Sequence, residues 1–291
     1  MTIKVVSTVK IIALTSTAML AFAGNSLLCR LALKHTAIDA ASFTTIRLIA
    51  GAAALWLIVR FQQSANVDKN EQNNKQNGSW LSALALFVYA TAFSFAYASL
   101  SAATGALLLF GAVQATMICF GIWRGERFRT MQTTGLLLAV AGLVGLLLPG
   151  LSAPPMWGTV LMISSGIAWG VYSLRGKGAG DPTAVTAGNF LRTLPFAMVL
   201  SLLFLRSMNI DAAGVAYAIT SGVLTSGIGY AIWYTALPSL KATHAATVQL
   251  SVPVIAALGG IVLLGEHLTM RLILASVAIL GGIALVIFEK R

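Results

Sequence analysis

Charge is what this chain of 291 residues has least of: 9% of it is charged and only eight residues are acidic. A soluble domain carries about 25% charged residues, so the polar surface is too small to cover a water-soluble body of this size. Hydrophobic residues make up 58% of the chain, which predicts an all-α integral membrane protein. Cysteine is scarce too. Cys29 and Cys119 both stand in apolar stretches, which predicts small core residues and no disulfide. No Cys/His cluster with metal-ligand spacing and no phosphate-cradling glycine loop occurs, so no metal and no cofactor is expected. The net charge of +11 would point to nucleic acid in a soluble protein. Here the basic residues fall mainly in short loops, a mark of membrane topology. The expected surroundings are a lipid bilayer and no nucleic acid, and a homodimer is left open.

About 20 apolar residues cross a bilayer. Cutting the chain at polar and Pro/Gly-rich breaks gives ten spans: 11–33, 40–61, 80–99, 102–123, 131–149, 156–175, 183–205, 212–235, 242–264 and 270–288. The run from Lys4 through Ala21-Phe22-Ala23 resembles a signal peptide, but it stays apolar through Cys29, long enough to span. The stretch from Gln62 to Ser79, rich in Asn and Gln, reads as a loop. With the N-terminus inside, thirteen Lys and Arg lie in cytoplasmic segments and four outside, which predicts both termini cytoplasmic.

The chain is also written twice. Arg47 and Arg192 are 145 residues apart, and the same spacing takes Ala23 to Ala168 and Arg30 to Arg175. Gly125-Glu126 recurs as Gly265-Glu266 at a spacing of 140. The halves are 1–149 and 156–291, joined by Leu148 to Pro155. Five spans per half is an odd number, so the second half enters the membrane upside down relative to the first. Inverted repeats suit alternating access, with a small-molecule substrate bound between the halves.

In order and spacing the chain resembles the ten-helix EamA-type branch of the drug/metabolite transporter superfamily. The resemblance rests on Phe43 to Leu55 with Ile46-Arg47-Leu48, on Gly125-Glu126 with Gly135 to Leu148, on Ala168-Trp169-Gly170, and on Val252-Pro253-Val254 through Gly265-Glu266. It implies a bacterial inner-membrane protein that moves a small metabolite, exporting an amino acid or derivative, and is not an enzyme. The alternatives are a non-transporting lipid-modifying enzyme, or a sensor or scaffold. The first needs a His/Asp/Glu cluster at one interface and the second a soluble effector domain, and the sequence offers neither.

All eight carboxylates, Asp39, Asp68, Glu71, Glu126, Asp181, Asp211, Glu266 and Glu289, lie at or beyond span ends. A central glutamate that trades protons for cationic drugs is therefore missing. Arg47 and Arg192 stand inside spans, where a charge is costly. Each either binds a substrate carboxylate or, the reading favoured by their duplication, caps helix carbonyls or snorkels. Tyr89, Phe93 and Tyr97 step along one face at i, i+4, i+8, and Ser226, Tyr230 and Tyr234 match them 137 residues later. Ser165, Trp169 and Tyr172 share a face, and Asn25 follows Gly24. The ninth span carries His244, Thr247, Gln249, Ser251 and Pro253, a proline placed in the helix interior, with Gln114 as the polar counterpart in the fourth. The expected substrate walls are Trp169, Tyr230 and Gln249, then Asn25, Phe93, Tyr97, Gln114, Tyr172 and Ser251. The Gly-Glu turns read as architecture, each glutamate favouring the start of the helix that follows it.

Overall fold

The computed structural model describes residues 8–64, 78–125, 129–148, 150, 153–176, 181–240 and 248–288. Most of the Gln62–Ser79 loop, Glu126 of the first Gly-Glu turn, His244 and Thr247 lie outside the described residues. Among the described residues, ten helices follow in order, apart from the short helical stretch at Val248 and Gln249 and a 3-10 turn at Leu205–Ser207. They are α1 Thr8–His35, α2 Ala40–Ser64, α3 Trp80–Tyr97, α4 Ala102–Trp123, α5 Thr130–Leu147, α6 Met156–Gly176, α7 Pro182–Leu203, α8 Ala212–Ser239, α9 Ser251–Leu264 and α10 Met270–Phe288. Seven of them are long and apolar enough to cross a membrane. Helix α6 has the length, 21 residues, and carries Ser164, Ser165, Ser173 and Arg175 along it. Described helix α9 begins later than the span read from the sequence, and α8 runs to Ser239.

The acidic residues explain the helix starts. Asp39 accepts the amides of Ala41 and Ser42 at the head of α2. Asp181 accepts Ala184 N–H ahead of Pro182, which sits where a helix has no use for an amide proton. Asp211 accepts Gly214 N–H. Ser79 and Ser101 do the same for α3 and α4. Glu266 departs from expectation. It serves not the helix that follows it but α4, accepting Ala102 N–H at 2.8 Å. Gly265, at φ +60°, turns the chain so that this reach is open.

Pro253 is the third residue of α9, and the helical path is interrupted just ahead of it, with Val248 and Gln249 helical and Leu250 in a turn. One further expectation is corrected. Cys29 is buried, but Cys119 is exposed on the outer face of α4 and is no core residue.

The principal helix pairs join the two halves of the sequence: α5 with α10, α3 with α6 and α7, α4 with α6 and α9, α2 with α7 and α8, and α1 with α8 and α9. Exchanging the halves turns each of these relationships into another of the set or into itself. Close approach depends on small residues. A Cβ on Gly135 would stand 2.5 Å from the Gly282 carbonyl, so α5 and α10 meet backbone to backbone. A Cβ on Gly222 would collide with the Arg47 carbonyl, so α8 lies directly on α2. At that contact α8 is π-helical, over Ser221–Ile228. The wider turn changes which side chains face inward, and such segments are frequent at functional sites.

Candidate functional site

Helices α1, α3, α4, α6 and α8 surround a narrow cavity lined by Phe22, Asn25, Tyr89, Phe93, Leu109, Phe110, Trp169 and Tyr230. It is closed down to about the room of one water molecule. Trp169 is its centre. Its ring lies 4.8 Å from those of both Tyr89 and Tyr230, and 6.0 Å from Phe22 in an edge-on arrangement. Phe22 in turn stands 5.8 Å from Tyr230. Aromatic residues from both halves thus form one box, with apolar walls and few hydroxyls.

A polar network closes one side. The Tyr230 hydroxyl donates to that of Tyr89 across 3.0 Å, and the Asn25 amide donates to the same oxygen at 3.1 Å. Asn25 Oδ1 accepts from Ser221 at 2.8 Å and from Thr225 at 3.3 Å, two side chains that the π-helical segment brings to α1. Arg47, 1% exposed, donates from Nε to Ser226 at 3.0 Å and from Nη2 to Tyr89 and Tyr230 at 3.2 and 3.3 Å. Its guanidinium lies 5.1 Å from the Phe93 ring centre and 5.5 Å from that of Tyr89.

The two arginines differ. Arg47 bonds hydroxyls of α3 and α8 and not helix carbonyls, whereas half-buried Arg192 donates to the Gly188 carbonyl of its own helix at 2.9 Å. Duplicated positions in sequence thus occupy different environments.

Of the residues read from the sequence, Asn25, Phe93, Trp169 and Tyr230 meet on the cavity wall. Tyr172 stands 5.5 Å from Trp169 and lines a neighbouring cavity with Asn189 and Tyr234. Tyr97 packs edge-on against Phe93 at 4.7 Å, and its hydroxyl reaches the Ala102 carbonyl. Gln114 and Gln249 are buried outside that lining, and Ser251 donates to the Val248 carbonyl at 2.7 Å. Sequence reasoning singled out Tyr89 in the aromatic stripe and Arg47 as a carboxylate ligand or a structural residue, but placed neither among the expected walls, and it gave Phe22 no role there. The signal for Tyr89 was present, since it lies four residues before Phe93 on one helical face. Phe22 carried none beyond a place one turn before Asn25.

An ion pair closes the end of the bundle near the α1–α2 connection. Arg30 Nε lies 3.0 Å from Glu266 Oε1, with both side chains largely buried, and Arg30 Nη1 also donates to the Tyr97 carbonyl at 2.9 Å. The residue 145 positions on, Arg175, donates to Ser82 at 3.1 Å and to Ser79 at 3.4 Å. Among the described residues no group of His, Cys, Asp and Glu could hold a metal ion.

Comparison with known proteins accords with this architecture. An uncharacterized protein of Pseudomonas aeruginosa is 56% identical over 277 residues, 95% of this chain and 94% of its own. The threonine/homoserine exporter RhtA of Salmonella typhimurium is 33% identical over 162 residues, 53% of this chain and 54% of that one. An uncharacterized transporter of Archaeoglobus fulgidus is 28% identical over 182 residues, 60% of this chain and 63% of its own. One crystal structure superposes with a TM-score of 0.64 at 20% identity, covering 96% of this chain and 98% of that one, a likeness of fold alone. The model of the EamA-like transporter family matches residues 9–148 and again 156–288. The chain is a multi-pass membrane protein of the drug/metabolite transporter superfamily and belongs to the EamA-like transporter family.

Proposed function

We propose that this transporter exports a small organic metabolite, an amino acid or a derivative of one, across the bacterial inner membrane by alternating access, without chemical change to its cargo. The observation that carries the reading is the aromatic box around Trp169, whose walls come from α1, α3 and α4 of one half and α6 and α8 of the other. A site built from both halves changes its exposure when the halves rock against each other. The exchange of helix pairs between the halves supports two inverted five-helix repeats, 1–149 and 156–291. With both termini cytoplasmic, the Arg30–Glu266 pair lies toward the outer end of the bundle. RhtA is named as an exporter of threonine and homoserine, which favours outward movement and an amino-acid cargo here.

The test is a comparison of amino acids accumulating in the medium of cells that express the protein, of cells without it, and of cells with Trp169→Ala at matched membrane levels. Accumulation of at least one amino acid with the intact protein only supports the reading. Identical media in all three sink it.

A further inference from the structure

We infer that Arg47 is the residue that selects the cargo, by holding a carboxylate, so that this transporter carries acids and refuses their amides and amines. The inference rests on the proposed site and names its charge requirement. Arg47 Nη1 is buried and has no hydrogen-bond partner, while Nε and Nη2 are engaged. A guanidinium offers five N–H donors and no acceptor. Around it stand Ser226, Tyr89 and Tyr230, each with a hydroxyl that already receives at least one proton. The Tyr89 oxygen alone is approached by Arg47, Asn25 and Tyr230. Asn25 Oδ1, the amide acceptor of the cluster, is taken by Ser221 and Thr225. The network is therefore rich in donors and short of acceptors.

It is also short of negative charge. Every described carboxylate is committed to a helix start: Asp39, Asp181, Asp211 and Glu266. A buried charge needs a partner and hydrogen bonds to be tolerated. The two ring faces of Phe93 and Tyr89 supply part of that compensation. A monoanion with two acceptor oxygens supplies the rest, because a carboxylate matches the guanidinium fork. One cation fits one negative charge better than the two of a phosphate monoester. The same rings face the cavity together with Trp169, and they offer π-faces to the ammonium group of an amino acid, which finds no carboxylate here.

The test uses the full chain in proteoliposomes. The probes are the common L-amino acids, their primary amides and the amines left by removing the carboxyl group. Uptake is measured for the intact protein, for Arg47→Gln and for Arg47→Lys at equal amounts of folded protein. The intact protein is expected to carry at least one acid, and to prefer it over its own amide by about tenfold or more, as loss of a charge-assisted hydrogen bond implies. Arg47→Gln should reduce that ratio to near unity, and Arg47→Lys should keep part of it. An acid-to-amide ratio is not moved by a merely structural defect, which slows all probes alike. Should Arg47→Gln fail to fold, the ratio for the intact protein still decides. Amides carried as well as acids overturn the inference and leave the amino-acid reading standing, as does Arg47→Gln keeping the preference. No uptake of any probe overturns both.

Discussion

Glu266 clasps Arg30 with one carboxylate oxygen, at 3.0 Å, and the first amide of α4 with the other, at 2.8 Å. One side chain thus ties α1, α4 and the α9–α10 turn together. Glu266→Ala leaves a largely buried guanidinium without its partner and an amide without its cap, a loss on the order of 3 kcal/mol. The melting temperature in detergent should fall clearly. The double variant Arg30→Ala/Glu266→Ala should melt close to Glu266→Ala alone. Fully additive losses would show that the two residues act independently.

Tyr89 and Tyr230 differ in how much they hold. The Tyr89 oxygen accepts from Arg47, Asn25 and Tyr230, and that of Tyr230 accepts from Arg47. Tyr89→Phe should therefore cost more stability than Tyr230→Phe, about 2 kcal/mol against about 1 kcal/mol. Chemical or thermal unfolding of both variants orders them, and the reverse order would refute the network as drawn.

Arg192 donates to a carbonyl one turn back on its own helix. Arg192→Lys should keep both membrane level and transport within about twofold, since a change at a half-exposed position away from the cavity costs roughly 0.5 kcal/mol. Immunoblots and uptake on the same membranes check this. Loss of transport at normal level would bring Arg192 into the mechanism.

Asp39 joins two connections, accepting Ala41 and Ser42 at the start of α2 and Asn209 N–H from the stretch before α8, at 2.9 Å. Partial burial pushes its carboxyl up, but hydrogen bonds from Ser42, Asn209 and Ala41 outweigh that and hold it below the usual aspartate value. A folded-state value below the unfolded one adds stability above the unfolded pKa, and that stability fades as pH falls through the folded one. The melting temperature should drop on acidification below about pH 4. Asp39→Asn should be less stable at neutral pH and lose less on acidification. Parallel pH curves for the two proteins would contradict this.

Reporter fusions at Arg291 and within Gln62 to Ser79 should both read as cytoplasmic, given the thirteen-to-four bias of Lys and Arg. A periplasmic signal at either place breaks the proposed orientation.

Helix number and most helix ends were legible in the sequence because hydropathy and capping are local. Asp181-Pro182 announces α7, and Ser79 and Ser101 announce α3 and α4. Of the aromatic residues on the cavity wall, Phe93, Trp169 and Tyr230 were legible through their helical spacing inside spans, whereas Phe22 and Phe110 were not. What escaped was set by partners distant in the chain. The sequence groups Arg47 with Arg192, but the two diverge because only Arg47 meets Tyr89, Tyr230 and Ser226. Glu266 reads as a cap for the helix beside it, yet it serves one that begins 164 residues earlier. The π-helical segment of α8 is built from ordinary residues, Ser221 to Ile228, that lie against α2 and carry no motif for the wider turn.

A cavity with room for about one water molecule cannot hold an amino acid. On the proposed function, cargo therefore does not bind to the conformation described here. A cargo molecule selects conformers in which Trp169, Tyr89 and Tyr230 stand further apart, and its apparent affinity is reduced by the fraction of time that the protein spends there. A substitution that loosens this aromatic contact while leaving all three rings in place raises that fraction. It would tighten apparent binding while weakening the fold, so affinity and stability move in opposite directions at the same three rings.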